Sequence, residues 1–272
     1  MHHQELEPPE ELRDIVRDVW YISRNSDEQS PSFEVTPDGC AEIIFYFGST
    51  CHVLTPDGLE PLSSPFLVGL LQHPILFQAQ GRLEMIGIKC WPWAVFELLG
   101  LSAGAGPICR MEHPIAGLQA PLATWLQAGK VAEALARVVQ YLGSVRALIT
   151  TDQLLQRAGT VLRAAGGTLP VGQVAAAAHA TVRTLERKFK RAAGHTVKDV
   201  ASLMRFEQAC HRIWQQPTAS LAGLAQELGY SDQSHLGREF KRYSGTTPAV
   251  FARNAARWQQ AVSTDFVAFV LA

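Results

Sequence analysis

The 272-residue sequence lacks several features that mark particular classes of protein. It has no apolar run of the roughly 18–20 residues that a membrane-spanning helix needs. Its acidic N-terminus has no apolar stretch of the kind found in a secretory signal. It also lacks a glycine-rich phosphate loop and the H-E-x-x-H and G-x-S-x-G motifs of metalloproteases and hydrolases. We therefore expect a cytoplasmic protein that is neither an enzyme nor embedded in a membrane.

Cysteine is sparse and shows no C-x-x-C pair. The odd number and wide spacing favour buried thiols in a reducing compartment over disulfides or a zinc cluster. The five cysteines are Cys40, Cys51, Cys90, Cys109 and Cys210. Three separated histidines, His52, His73 and His113, supply no metal-ligand spacing. We predict no metal and no cofactor.

The net charge is only −1, but the two parts of the chain have opposite charge. Residues 1–150 contain 9 Lys and Arg against 17 Asp and Glu, whereas residues 151–272 contain 15 against 8. Basic charge confined to one half is typical of a surface that binds a polyanion. A mildly basic helical domain without such a partner would show a similar excess, so charge alone leaves both interpretations open.

The basic half contains an internal repeat of about fifty residues. One copy begins at Val174 with "VAAAAHATVRTLERKFKRAAG", and the other begins at Leu224 with "LAQELGYSDQSHLGREFKRYSG". Each copy predicts a short helix, a turn and a second, basic helix that is capped by Thr181 or Ser231 and followed by glycine. This layout is that of a helix-turn-helix unit, whose second helix enters the major groove of DNA.

A long amphipathic helix is predicted between the copies, from Val197 to Trp214, with Pro217 ending it. It would hold the two units rigidly apart. Two recognition helices about 34 Å apart would read adjacent major grooves on one face of a duplex. The inward-facing positions of the two copies are predicted to be core: Leu185, Phe189, Leu228, Leu236 and Phe240.

With "GYSDQSHLGREFKRYSGTTP" in its second copy, segment 168–257 resembles the DNA-binding domain of AraC/XylS-type bacterial transcription regulators. The resemblance implies a sequence-specific regulator, often an activator that contacts RNA polymerase, with an N-terminal sensor or dimerisation domain. The first copy departs from the family at His179, where glycine is usual, and at Val197, where proline is usual. The alternative is an interaction protein that titrates a partner regulator without binding DNA.

The resemblance also places the residues that would contact DNA. The groove-facing candidates are Arg183, Glu186 and Arg187 in the first copy and Gln233, Ser234 and Arg238 in the second. Arg, Gln and Glu side chains can pair with the edges of guanine, adenine and cytosine, respectively. The neighbouring cations are expected on phosphates, where they add salt-dependent affinity: Lys188, Lys190, Arg191, Lys241 and Arg242.

The N-terminal half is predicted to be β-rich. Strand-like segments separated by turn residues occupy residues 33–90, and "WPWAVFELLG" predicts a helix with Pro92 in its first position. The stretch from "PDGCAEIIFYFG" to "IKCWPWAVFELLG" resembles an N-terminal domain found in one subset of these regulators. A small-molecule effector pocket would combine aromatic and charged side chains, although the same aromatics would also suit a plain core. The candidates are Glu42, Phe45, Phe47, Lys89, Trp91 and Trp93.

We therefore expect an α+β protein in four segments. Residues 1–110 form a β-rich, sensor-like domain, and residues 111–166 form a helical segment for dimerisation and connection. Residues 167–257 form an all-α domain of two helix-turn-helix units, and residues 258–272 form an apolar tail that docks on the protein. The expected partners are double-stranded DNA, RNA polymerase, a small-molecule effector and a second copy of the chain.

Overall fold

A computed structural model describes residues 2–24, 32–79, 81–101, 106–261 and 269–270. Strands make up most of the N-terminal part and helices make up the C-terminal part, so the predicted α+β class is confirmed. None of the helices in these ranges has the length and apolar character that crossing a bilayer requires.

The strands of the described residues form two antiparallel sheets. They are β1 (His2–Leu6), β2 (Val16–Arg24), β3 (Ser32–Val35), β4 (Ala41–Gly48), β5 (Cys51–Thr55), β6 (Gly58–Pro61), β7 (Phe66–Val68), β8 (Ile75–Ala79), β9 (Leu83–Cys90), β10 (Ile108–Arg110) and β11 (Phe269–Val270). The first sheet has the order β1-β2-β9-β4-β7-β10, and the second has the order β11-β3-β8-β5-β6.

The sequence pattern predicts strands only from residue 33 onward, and the structure adds β1 and β2 before it. The edge strand β1 is polar and gives no apolar signal. In β2, Arg17 and Asp18 interrupt the apolar run, although Val16, Val19 and Trp20 are buried. Both strands are therefore specified by pairing with distant partners rather than by their own pattern.

Two hydrophobic clusters organise the protein. One fills the space between the two sheets with side chains such as Trp20, Phe33, Phe66 and Phe77. The other, larger cluster begins on the opposite face of the first sheet and continues into the helices. The two halves of the chain therefore share one continuous core.

The α-helices of the described residues come after β9, and only the short strands β10 and β11 fall among or after them. These helices are α1 (Val95–Leu98), α2 (Gln119–Gln127), α3 (Val131–Arg146), α4 (Gln153–Ala164), α5 (Val171–Ala177), α6 (Val182–Ala193), α7 (Val197–Gln215), α8 (Leu221–Glu227), α9 (Gln233–Ser244) and α10 (Pro248–Ala261). The prediction that α1 starts at Pro92 is wrong, because residues 92–94 form a turn in which the Ala94 N–H donates to the Trp91 carbonyl.

The helical segment between the strands and the repeat packs on the N-terminal sheets. The apolar side of α3 faces β2 and buries Ala134, Leu135, Val138 and Leu142. The prediction of a dimer interface rests on apolar stripes in this segment. The stripe on α3 is instead buried within the chain. Dimerisation through this segment stays a prediction.

The end of the chain returns to the N-terminal sheets. Phe269 pairs with Val35 and Val270 pairs with Glu34, so β11 adds an antiparallel edge to β3. This pairing agrees with the expected docking of the apolar tail. Residues 262–268 and 271–272 of that tail lie outside the described residues.

Candidate nucleic-acid interface

The two predicted repeats have the same backbone construction. In the first, the Ala180 N–H donates to the Ala175 carbonyl (2.9 Å), and in the second the Tyr230 N–H donates to the Ala225 carbonyl (2.9 Å). Each turn contains one residue in the left-handed region: His179 with φ 55° and Gly229 with φ 72°. The pairs α5–α6 and α8–α9 are therefore two copies of one helix-turn-helix unit.

The second helix of each unit is capped at both ends. The Thr181 hydroxyl accepts from the Thr184 N–H at the start of α6. At the start of α9 the cap is Asp232, which accepts from the His235 N–H at 2.7 Å, so the prediction of Ser231 as the cap is wrong. The extra residue in the second turn shifts the cap by one position.

Most of the predicted DNA contacts are exposed. Nine of the eleven side chains face solvent: Arg183, Arg187, Lys190, Arg191, Gln233, Ser234, Arg238, Lys241 and Arg242. Apart from Gln233, the first residue of α9, they are linked on each helix by intervals of three or four residues and therefore share one face. The opposite face is buried through Leu185 and Phe189 in α6 and through Leu236 and Phe240 in α9, which confirms the predicted core.

The key guanidinium groups on this face are available. Among the described residues, no hydrogen bond or ion pair engages the guanidinium of Arg183, Arg187 or Arg238. Each can thus offer its paired N–H donors to a base edge or a phosphate without first breaking a contact within the protein.

Two of the predicted contacts are half-buried and engaged elsewhere. The Glu186 carboxylate accepts from the Val197 N–H at 3.1 Å, and the Lys188 ammonium forms an ion pair with Asp152, the N-cap of α4. Burial raises the pKa of Asp152, but the bonds from Lys188 and from the Leu155 N–H prevail and lower it. In this structure Glu186 and Lys188 hold helices together and do not project freely from α6.

Helix α7 positions the second recognition helix through a polar network that the sequence pattern did not indicate. Arg205 of α7 contacts Glu239 of α9 at 3.4 Å and donates to the Gly167 carbonyl at 2.8 Å. Its guanidinium also lies over the Tyr230 ring, 5.3 Å from the centroid. One side chain therefore joins α7, α9 and the turn of the second unit.

The N-terminal part contacts both helix-turn-helix units. Trp93 packs on Phe189 of α6, with ring centroids 5.8 Å apart. At the second unit, Arg242 donates to Gln72 at 2.7 Å, and the His73 ring nitrogen lies 3.2 Å from the Arg242 carbonyl. The orientation of the two units is thus linked to the N-terminal sheets.

A buried charged group lies where the two sheets meet α7. Lys89 contacts Asp38 at 3.0 Å and Glu42 at 3.5 Å, and Arg17 contacts Glu207 of α7 at 2.6 Å. Beside the carboxylates is a small cleft that Val35, Thr36, Val68 and Leu71 also line. We call this region the barrel mouth.

The carboxylates of the barrel mouth are hard to ionise. Burial raises the pKa of Glu42 to about 7 and that of Asp18 to about 6, although Lys89 acts against both shifts. Burial lowers the pKa of Lys89, but Asp38 and Glu42 prevail and hold it well above its usual value. Several carboxylates share the cations available, so the burial cost of the acids is only partly offset.

The six predicted effector contacts do not form one pocket. Glu42 and Lys89 pair with each other at the barrel mouth. Phe45 and Phe47 lie in the large core, and Trp93 is buried between Phe189 and Trp91. Strand alternation explains the separation, because Glu42 and the two phenylalanines point to opposite faces of β4.

Comparison with protein families gives two matches. Residues 174–254 match a model described as a helix-turn-helix domain, and residues 4–105 match a domain of unknown function, DUF6597. The fold and the exposed cationic helices thus belong to a DNA-binding transcription regulator. Its DNA-binding domain is of the AraC/XylS family type, which confirms the resemblance seen in the sequence. No curated protein matches the chain.

Solved structures with a similar chain course include ToxT from Vibrio cholerae O395, with 7% identity, a TM-score of 0.47 and coverage of 86% of this chain and 97% of that one. The DNA-binding domain of AdpA, in complex with a target DNA, has 23% identity, a TM-score of 0.35 and coverage of 42% and 100%. The C-terminal domain of AraT, a response regulator from Geobacillus stearothermophilus, has 18% identity, a TM-score of 0.35 and coverage of 38% and 86%. These scores are too low to support a functional inference.

Proposed function

We propose that the protein regulates transcription by reading two adjacent major grooves of one DNA duplex, with α6 in one and α9 in the other. The observation that carries the proposal is the pair of equivalent helices, each with a buried apolar face and an exposed face bearing arginine. Arg187 and Arg238 occupy the same position in the two copies. An arginine there can bind guanine O6 and N7 with two hydrogen bonds.

The remaining exposed side chains divide by position. Arg183, Gln233 and Ser234 lie in the first turn of their helices, where a recognition helix contacts base edges. Further along, Lys190, Arg191, Lys241 and Arg242 suit phosphate contacts, which add affinity without sequence preference. Glu186 and Lys188 are left out of this set because both are half-buried and bonded within the protein. Lys190 and Arg242 also donate within the protein, to Gly194 and Gln72, but their side chains are exposed.

Selection of bound sequences from random duplexes tests the proposal. The wild-type protein should enrich a two-part motif with about one helical turn between its parts. Arg187→Ala and Arg238→Ala should each relax a different part, because each loses about 1–3 kcal/mol of discrimination at one base pair. Arg137→Ala, an exposed residue of α3, is the control and should leave the motif unchanged. Failure to enrich any motif would favour the titrating interaction protein instead.

We further propose that the barrel mouth couples a small-molecule effector to the DNA-binding domain. Glu42 and Lys89 lie beside the cleft, and Arg17 bonds from the same region to α7, which joins the two units. A ligand whose polar groups replace the Glu42–Lys89 contact would alter the packing of the sheets on α7. Screening small molecules by thermal shift, with wild type and Glu42→Gln in parallel, would detect such a ligand as one that raises the Tm of wild type but not that of the variant.

Activation through RNA polymerase and homodimer formation rest on the family resemblance alone and stay predictions.

A further inference from the structure

Among the differences between the two helix-turn-helix units is one matched pair of positions. When Phe189 is aligned with Phe240, Glu186 corresponds to Gly237, and Val197 corresponds to Pro248. In each copy the second member of the pair is the first residue of the following helix, α7 or α10. In the first copy the two positions touch, since the Glu186 carboxylate accepts from the N–H of the residue that opens α7.

In the first copy, Glu186 supplies an acceptor that the backbone needs. Val197 is fully buried, and its N–H donates to the Glu186 carboxylate at 3.1 Å. The first N–H groups of a helix have no partner within the helix, and leaving one buried without an acceptor is costly. The negative charge also interacts favourably with the positive end of the α7 dipole. The neighbouring cap, formed by Thr196 and Asp199, satisfies other donors of the same turn.

In the second copy the same position needs no acceptor. Pro248 has no N–H, and its ring fits the first position of a helix. The residue that corresponds to Glu186 is Gly237, and a Cβ added there would meet nothing within 4 Å. The second copy thus uses proline where the first uses a carboxylate and an N–H.

We propose that Glu186 is a positioning residue that fixes α6 against α7 and replaces the proline of the second copy. It holds the first recognition helix at the correct angle to the helix that spans the two units. The first unit then reads bases through Arg183 and Arg187, and not through Glu186. The base-reading part of this inference rests on the proposed function, whereas the positioning part is tested without DNA.

A thermodynamic cycle of Glu186→Ala, Val197→Pro and the double variant tests the positioning role. Glu186→Ala should lower Tm by roughly 3–6 °C, because the Val197 N–H loses its acceptor. In the Val197→Pro background the same substitution should lower Tm by much less, since no N–H remains. Thr196 has φ −77° and ψ 159°, which is compatible with a following proline. Equal losses of Tm in both backgrounds would overturn the proposal.

Glu186→Gln keeps an oxygen acceptor and should retain most of the wild-type Tm, which keeps the test informative should Glu186→Ala fold poorly.

Sequence selection gives a second readout. Glu186→Ala should reduce affinity for all sequences of the first half-site by a similar factor, and Val197→Pro should restore it. A base-reading glutamate would instead relax one base preference without a change in Tm, and that result would contradict the proposal. If Glu186→Ala lowers Tm only when Val197 is present, and the wild-type protein selects no DNA motif, the positioning role is supported and the proposed function is refuted.

Discussion

Arg17 of β2 lies 2.6 Å from Glu207 of α7, and this ion pair joins the N-terminal sheets to the helix between the two DNA-reading units. The guanidinium also approaches the Cys40 sulfur at 3.6 Å. Both charged side chains are largely buried, with exposed fractions of 31% and 19%. The contact therefore constrains how the sheets sit on α7.

Removal of Arg17 should destabilise the protein. We expect Arg17→Ala to lower the free energy of unfolding by about 1–3 kcal/mol, because Glu207 then keeps a largely buried charge without its partner. In the Glu207→Ala background, Arg17→Ala should cost less. Denaturant unfolding of the four proteins measures this coupling. Arg212→Ala breaks the exposed pair with Glu227 and is the matched control, with an expected loss below about 0.5 kcal/mol. Additive effects of the two substitutions would contradict the prediction.

A second contact between the halves depends on the absence of a side chain. Gly159 of α4 lies against Trp93, and a Cβ there would come within 2.4 Å of the indole ring. We expect Gly159→Ala to lower the free energy of unfolding by about 1–3 kcal/mol, because Trp93 cannot move without disturbing Phe189. Gly143→Ala is the matched control on α3, where a Cβ meets nothing, and should stabilise by roughly 0.5–1 kcal/mol. Thermal unfolding distinguishes the two, and similar Tm changes would contradict the packing interpretation.

The helix-turn-helix units could be predicted from sequence because their signals are local. A cap, a turn and a closing glycine lie within about twenty residues of one another in each copy, and the repeat shows them twice. The contacts between the halves carry no such signal. Nothing near Arg17 in the sequence indicates a partner 190 residues away, and Trp93 gives no sign that it packs on Phe189.

The different role that the structure indicates for Glu186 has a similar origin. Its position on α6 matches a base-reading site, and the chemistry of a carboxylate fits cytosine. Only the folded structure shows that the carboxylate accepts from the Val197 N–H. The effector candidates on β4 lie on different faces for a simpler reason. Glu42 is an odd number of positions from Phe45 and Phe47, and such residues face opposite sides of a sheet.

The barrel mouth should make stability depend on pH. Burial raises the pKa of Glu42 from an ordinary value near 4.5 to about 7, so the folded state holds a proton that the unfolded chain has lost. This contribution is fully present below pH 4.5 and is lost as pH rises through 7. Relative to Glu42→Gln, the wild type should therefore lose stability between pH 4.5 and 7, on the order of 1 kcal/mol per unit of pKa shift. Denaturant unfolding at several pH values measures the difference, and parallel profiles would contradict it.

His179 occupies a backbone conformation that glycine adopts more easily. Its φ of 55° matches that of Gly229 in the second copy, and its side chain is exposed, so little packing would be lost on its removal. We expect His179→Gly to raise the free energy of unfolding by about 1 kcal/mol and Gly229→Ala to lower it by about 1 kcal/mol. A Cβ at Gly229 meets nothing closer than 3.6 Å, so its cost would come from the backbone alone. Thermal unfolding checks both signs. A destabilised His179→Gly protein would mean that the imidazole makes a stabilising contact that outweighs the strain.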